Sequence, residues 1–370
     1  MSIETAITDA WQRKAPWLWL LLPISWLYGS LIRLRHQAYK LGWLASYRAP
    51  LPVMVIGNIT VGGSGKTPLI IALVDHLQQQ GVRVGVISRG YGGDSSQMPT
   101  LVTHDSVPSV VGDEPCLIVN MTAVPMAVCP NRQQAIETLL VSYPDLQLII
   151  ADDGLQHYAL QRDIEWIVVD VTRGFGNKQL LPTGFLREPM SRLRTATLVY
   201  HEPSNTASAS IRQESVGQRL TMQLQPDGLQ PLWSKKDTER LGLRLLSTKM
   251  SKPRAGDTVH AVSGIGYPKR FFDTLQLLGF EVIEHPYPDH HDFDLTELLQ
   301  YTQHPVVVTS KDAVKVKAVL SQAATTNTLT DQHQALINRL WVLPVTAKLS
   351  TACYQRLKQQ LTDFDITVSD

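Results

Sequence analysis

Thr60-Val61-Gly62-Gly63-Ser64-Gly65-Lys66-Thr67 is the stretch that decides the fold. It follows a short apolar run, Leu51–Ile56, which reads as a buried strand. It opens a helix expected over 66–80, with Leu69, Ile70, Leu73, Val74 and Leu77 at helical spacing. Pro68 suits the first turn of that helix and Gly81 its end. A glycine-rich turn between strand and helix is where a phosphate-binding loop belongs. Gly62, Gly63 and Gly65, with Ser64 among them, let backbone N–H groups approach phosphate oxygens without Cβ collisions. Lys66 is expected to reach the β- and γ-phosphates of a nucleotide, and the Thr67 hydroxyl to bind Mg²⁺. Thr60 stands where the GxxxxGK[ST] pattern has its first glycine, so the strict motif is incomplete and its setting carries the reading. The competing reading is a glycine-rich turn with a solvated lysine.

On either side of the loop the pattern alternates. Strands are expected at 82–88, 125–128, 146–151, 164–171 and 197–201, with a helix over 132–141. Such alternation gives an α/β fold of P-loop NTPase type, a mostly parallel sheet with helices on both faces. Residues 203–217 read as a polar loop and 218–250 as short connecting strands. A second alternating unit begins at Thr258, with strands at 258–263, 281–284, 305–309 and 340–343 and helices at 268–278, 295–302 and 312–320. The expected division is an N-terminal apolar helix over 1–46, a P-loop core over 47–215, connecting strands over 216–257, and a smaller α/β unit with a C-terminal helix over 258–370.

The chain of 370 residues has a net charge of +1, which argues against nucleic acid as its partner. That charge is unevenly spread. Residues 1–50 carry six basic residues against two acidic ones and hold five of the eight tryptophans, whereas the other 320 carry 28 basic against 31 acidic. Residues 15–32 contain no charge, the lower limit of length for a membrane-spanning helix. Arg33, Arg35, Lys40 and Arg48 follow them, and Trp17, Trp19 and Trp26 are of the type that favours the headgroup zone. A spanning helix and a helix lying on anionic lipid fit equally well. The bland alternative is a helix packed on the protein's own core. No small-residue cleavage site follows, so a signal peptide is not expected. Three widely spaced cysteines give no disulfide framework.

Two acidic motifs bear on chemistry. Asp152 and Asp153 end the apolar run 146–151, and adjacent carboxylates at the carboxyl end of a strand are placed to hold Mg²⁺. Asp113 and Glu114 precede a helix; they serve either as favourable charges at its N-terminus or, in a phosphotransferase, to accept a hydroxyl proton. Lys311-Asp312 reads as the start of a helix.

The order of motifs carries a resemblance. GNITVGGSGKTP, SRGYGG, VGDEP, DDGLQHYALQRD, GNKQLLPTGFLREP, SGIGYPKRFF, YPDHHDF and TSKDAVK follow one another from residue 57 to 317. In these the chain resembles the tetraacyldisaccharide 4'-kinase family, the lipid A 4'-kinases of Gram-negative bacteria. The resemblance implies transfer of the γ-phosphate of ATP to the 4'-hydroxyl of tetraacyldisaccharide 1-phosphate, giving lipid IVA, at the cytoplasmic face of the inner membrane. It implies ATP and Mg²⁺ at Lys66 and Thr67, Asp113 as general base, and Glu114 supporting metal or acceptor. Asp152 and Asp153 would lie near Mg²⁺. His290 would orient Asp113, with His291 beside it as the alternative. Tyr91 and Arg187 would contact substrate or phosphate. The glycolipid and the membrane surface are then the partners. The rival is a membrane-recruited P-loop switch that hydrolyses nucleotide without an acceptor; the absence of an NKxD motif counts against a GTPase form of it.

Overall fold

The computed structural model describes residues 7, 10, 11, 13, 15–203, 219–234, 252–326 and 328–368. After a 3-10 segment at Pro16–Leu21, helix α1 spans Leu22–Lys40. The first unit then runs through β1 (Val53–Gly57), α2 (Lys66–Gln79), β2 (Val84–Ser88), β3 (Thr100–Val102), α3 (Pro108–Val111), α4 (Asp113–Thr122) and β4 (Met126–Val128). It continues with α5 (Arg132–Ser142), β5 (Leu148–Asp152), β6 (Ile164–Asp170), β7 (Thr197–Glu202) and β8 (Leu220–Pro226). The second unit contains β9 (Gln230–Pro231), β10 (Thr258–Ser263), α6 (Pro268–Leu277), β11 (Glu281–Pro286), α7 (Leu295–Leu299), β12 (Val306–Thr309), α8 (Ser310–Thr325), α9 (Asp331–Ile337) and β13 (Leu340–Leu343). β14 (Val345–Leu349) and α10 (Thr351–Thr362) close the chain.

Nine strands form one sheet in the order β14-β8-β7-β6-β1-β5-β2-β4-β3, parallel except at its two outer pairs. β1 is central and buried on both faces: Met54 and Ile56 enter one apolar core, Val53 and Val55 the other. That is why it reads as a continuous apolar run rather than an alternating one. β1 lies between β5 and β6, with Ile56 opposite Asp152, so the loop after β1 and the end of β5 open at one crevice. The second sheet has the order β11-β10-β12-β13-β9, parallel but for β9.

Two expectations change. The C-terminal segment does not stay with the second unit. β14 pairs antiparallel with β8, and α10 buries Cys353, Leu357 and Leu361 in the core beneath β1. The Trp166 indole on β6 donates to Gln360 Oε1 at 2.8 Å, fixing the returning helix. Its apolar face needed an open flank of the larger sheet, which the edge at β8 supplies. The connecting region also divides, since β8 joins the first sheet and β9 the second. Residues 235–251 of that expected region, and all but Pro203 and Arg219 of the stretch 203–219, lie outside the described residues.

α1 is not packed on the core. Ser25 and Gly29 are its buried residues, whereas Ile24, Trp26, Leu27, Leu31 and Leu34 are each more than half exposed. The buried seam is polar and close-packed. Ser25 Oγ donates to Leu180 O at 3.0 Å and meets Thr183 Oγ1 at 2.8 Å, and a Cβ on Gly29 would stand 2.8 Å from Leu180. Leu357→Ala is expected to lower the stability of the first unit by about 2–5 kcal/mol, since the side chain is fully buried. Denaturant unfolding followed through nucleotide-binding capacity measures it. A loss confined to the second unit would contradict the return of α10 to the first sheet.

Candidate active site

The loop after β1 turns through Gly62 and Gly65, both at positive φ (90° and 94°), before α2 begins at Lys66. These are conformations that favour glycine. Thr60 occupies the place of the expected first glycine without strain. It forms a β-bridge with Leu186, which suits a β-branched residue, and Asn58 Nδ2 donates to its hydroxyl at 3.2 Å. Asn58 also accepts from Lys66 Nζ at 3.2 Å, so it braces both ends of the turn. Arg173, beyond the end of β6, donates to Val61 O at 3.0 Å and covers Gly62. The Ser64 hydroxyl is buried and has no partner among the described residues.

Asp152 and Asp153 are adjacent but differently employed. Asp153, at φ 44°, faces Lys66 Nζ at 3.5 Å and Arg187 Nη1 at 2.9 Å. Burial works against its charge, but these two cations prevail and hold the carboxyl down to about 2. Asp152 is 1% exposed. One of its oxygens accepts from Ser88 Oγ at 3.2 Å and the other has no partner among the described residues. Burial, with Glu114 and Asp153 nearby, pushes it up to about 7. A buried carboxylate oxygen without a partner among the described residues, at the strand end next to the loop after β1, fits a hard cation such as Mg²⁺. Among the described residues no cluster of three or more His, Cys, Asp or Glu forms a metal cage. Mg²⁺ at a nucleotide does not need one, because the phosphates supply part of its shell.

Asp113 begins α4 and is 4% exposed. Its Oδ1 accepts from the Glu114 backbone N–H at 2.8 Å and its Oδ2 meets His290 Nδ1 at 3.0 Å, across 177 positions of sequence. His290 is therefore the histidine brought to Asp113. His291 turns away into its own unit, where its Nε2 meets Glu297 at 2.9 Å and its ring stacks on Tyr287. The Asp113 carboxyl lies below the usual range: burial opposes ionisation, and the His290 hydrogen bond with the Lys311 and Lys315 charges outweighs it. Tyr91 presents its ring edge-on to His290, centroids 4.8 Å apart, and is largely exposed.

Sequence reasoning missed Lys311. Asp312 does serve the start of α8, its N–H donating to Thr309 Oγ1. Lys311 instead crosses to the first unit, with Nζ 3.2 Å from Glu114 and 3.2 Å from Asp289. Only the fold brings residue 311 to 114. The second unit also meets the P-loop: a Cβ on Gly266 would stand 3.0 Å from Gly63 N and 3.0 Å from Asp289. Arg187 joins the Lys66 group rather than the Asp113 group. Arg192 lies elsewhere, paired with Glu165, and Arg194 is exposed.

Comparison with known proteins gives the lineage of this arrangement. A family model described as tetraacyldisaccharide-1-P 4'-kinase matches residues 17–362. A protein of Psychrobacter arcticus named tetraacyldisaccharide 4'-kinase is 68% identical over 100% of this chain and 98% of its own length. One of the same name from Ectopseudomonas mendocina is 43% identical over 86% of this chain and 90% of its own. The crystal structure of the "apo" form of LpxK from Aquifex aeolicus in complex with ATP superposes with a TM-score of 0.66, at 25% identity, covering 94% of this chain and 99% of that one. A loop-cradled Lys66, two acids at the end of β5 and a carboxylate–histidine pair joining two α/β units thus stand in a chain that belongs to the tetraacyldisaccharide-1-P 4'-kinase family.

Proposed function

We propose that the protein transfers the γ-phosphate of ATP to the 4'-hydroxyl of a tetraacyldisaccharide 1-phosphate, giving lipid IVA. The observation that carries this reading is the Asp113–His290 pair, held at 3.0 Å where the second unit meets the P-loop. A switch that only hydrolyses nucleotide needs no such base.

Phosphoryl transfer requires positioning and neutralisation of charge more than covalent help. Lys66 and the backbone N–H groups of Gly62–Gly65 bind the phosphates. Mg²⁺ held by Asp152 and Thr67, with Glu114 nearby, would offset the charge that builds on the transferred group. Asp113 accepts the proton of the sugar hydroxyl as that oxygen bonds to phosphorus and the bond from phosphorus to the leaving ADP oxygen breaks. His290 fixes the orientation of Asp113. Arg187 and Tyr91 flank the site and supply contacts to acceptor or phosphate.

The acceptor carries acyl chains, so its sugar is met at a lipid surface. Helix α1 and the preceding 3-10 turn offer Trp17, Trp19, Leu20, Trp26 and Leu27 outward. The same helix is held against the body from Ser25 through Tyr28, whose hydroxyl donates to Arg187 O at 3.1 Å, to Tyr39, whose ring lies 6.2 Å from that of Tyr158. Those contacts extend over about 21 Å of helix, at 1.5 Å per residue. A helix fastened lengthwise to a polar body lies along a bilayer rather than crossing it. With Arg33, Arg35, Lys40 and Arg48 beside it and ATP as donor, the surface is the cytoplasmic face of the inner membrane.

Incubation with ATP and tetraacyldisaccharide 1-phosphate, read by product mass, is the decisive experiment. Lys66→Ala is expected to abolish product, and Asp113→Asn to lower kcat by about 10²–10⁴ while ATP binding persists. ATP hydrolysis without a phosphorylated lipid would exclude the kinase reading. Leu27→Glu with Leu31→Glu should release the protein from anionic vesicles in a flotation assay without reducing ATP affinity; retained flotation would refute the surface assignment of α1. Gly266→Ala presses a methyl group on the Gly63 amide, and kcat/KM for ATP should fall about 10–100-fold with the melting temperature little changed.

A further inference from the structure

We propose that His201 is a positioning residue for ATP: the proton on its Nδ1 holds the Ser64 carbonyl and thereby turns the Gly65 N–H to a phosphate oxygen of the nucleotide. The inference rests on the reading of the loop after β1 as the ATP site, and adds to it a residue that lies far from the loop in sequence.

The ring is set by the sheet. His201 lies near the end of β7, opposite Asp170 of β6, and its own carbonyl accepts from the Val171 N–H at 3.0 Å. It is 4% exposed. Its Nδ1 lies 3.0 Å from Ser64 O, across 137 positions of sequence. A carbonyl oxygen has lone pairs and no proton, so the ring nitrogen that meets it is the donor. Burial, with the Arg270 charge added to it, brings His201 down to about 4. The ring is therefore neutral near neutral pH, and its single proton is on Nδ1.

The consequence falls on one peptide group. A trans peptide is planar, with its C=O and N–H pointing in opposite directions. A Ser64 carbonyl fixed on β7 therefore directs the Gly65 N–H away from β7. In the sheet, β7 and β5 lie on opposite flanks of β1. The loop is drawn to the first flank through the Ser64 carbonyl and to the second through the Lys66 amine, 3.5 Å from Asp153. An anion held by that amine is what the Gly65 N–H is left to meet. Gly65 shows how closely ring and loop fit. It stands at φ 94°, and a Cβ there would lie 3.0 Å from His201 Nδ1 and 2.9 Å from Met222 Cε. Ser64 is 1% exposed, so its carbonyl, without the ring, is either left unpaired or turns. Turning carries the Gly65 N–H with it. Arg173, on the turn after β6, holds the Val61 carbonyl at 3.0 Å in the same manner. Both holds thus come from the ends of two paired strands.

The test uses the full-length protein, with ATP binding measured by calorimetry and turnover by the glycolipid assay. His201→Leu removes the donor and keeps most of the volume; Kd and KM for ATP should rise about 10-fold. The kcat at saturating ATP should change about twofold at most, because the contact is made in ground and transition states alike. His201→Asn places an amide N–H where Nδ1 stood and should recover most of the affinity, whereas His201→Gln places it farther out and should not. A merely structural histidine would lower the melting temperature and kcat with KM unchanged, and would be replaced no better by Asn than by Gln. Either result overturns the proposal, as does His201→Leu with wild-type affinity. Should His201→Leu fail to fold, the Asn and Gln variants decide by the same comparison. Long-range ¹H–¹⁵N spectra of the wild type give a second reading, with His201 identified by loss of its signals in His201→Asn. They should show Nδ1 protonated and Nε2 bare, and the opposite pattern overturns the assignment. A wild type that binds no ATP condemns the reading of the loop itself, a result distinct from a wild type that binds ATP no better than His201→Leu.

Discussion

A carboxylate removed from water must be matched by cations or hydrogen-bond donors, and Asp113 imposes that requirement on the whole molecule. It is buried at the start of α4 in the first unit, yet the groups that satisfy its charge come from the second: His290 from the turn after β11, and Lys311 and Lys315 from α8. The two units are therefore electrostatically incomplete apart. The dependence runs the other way at Asp170, which ends β6 of the first unit and pairs with Arg270 on α6 of the second. Asp170 also caps the turn that carries Arg173, and Arg173 holds the P-loop at Val61. Each cross-unit pair thus reaches a functional loop within one further contact.

The apolar helix is tied to the same centre by a second route. Thr183 and Leu180 receive Ser25, and Tyr28 donates to the carbonyl of Arg187. The segment between 180 and 187 is laid on the P-loop by Val61 N donating to Phe185 O at 2.9 Å and Arg187 N donating to Ile59 O at 2.7 Å. The Arg187 side chain then reaches Asp153, and Asp153 reaches Lys66. From Ser25 to Lys66 the path is made of direct contacts. An exposed apolar helix joined so closely to the loop after β1 is held in one frame with it, which a flexible tether would not do.

What the sequence made legible follows from the range of the forces involved. The P-loop, the strands around it and the α/β class were readable because turn chemistry and apolar periodicity are local. The strand at 258–263 coincides with its expected bounds for the same reason. Three things were hidden because they are decided by distant partners. β14 pairs with β8 across more than a hundred residues, and its alternating pattern does not say to which sheet it belongs. Lys311 was readable as a helix start, and Asp312 behaves as one, but the partner of the lysine is 197 positions away. His290 and His291 are chemically identical in sequence. Only His290, at φ 60°, turns toward Asp113, while His291 follows Tyr287 and Glu297 into its own unit. Thr60 shows the converse, a departure from a motif that the bridge to Leu186 makes harmless.

The two acids of the DDG motif divide their work by backbone conformation. β5 ends on Asp152, whose extended backbone directs the side chain along the sheet toward Ser88 on β2. Asp153 takes up φ 44°, a left-handed geometry that Asp tolerates better than most residues, and this swings its carboxylate to Lys66 and Arg187. Two carboxylates side by side would repel if aimed at one point. Turned apart, Asp153 is paired with two cations and Asp152 with the Ser88 hydroxyl, and among the described residues each keeps one buried oxygen without a hydrogen-bond partner. Of the pair, Asp153 is the acid that Lys66 and Arg187 draw to the loop, and Asp152 is the acid that stays on the sheet beside Ser88. A swap of the two functions would require the chain to reverse the hand of a single residue at the end of β5, so the division is set by the turn and not by the side chains, which are the same.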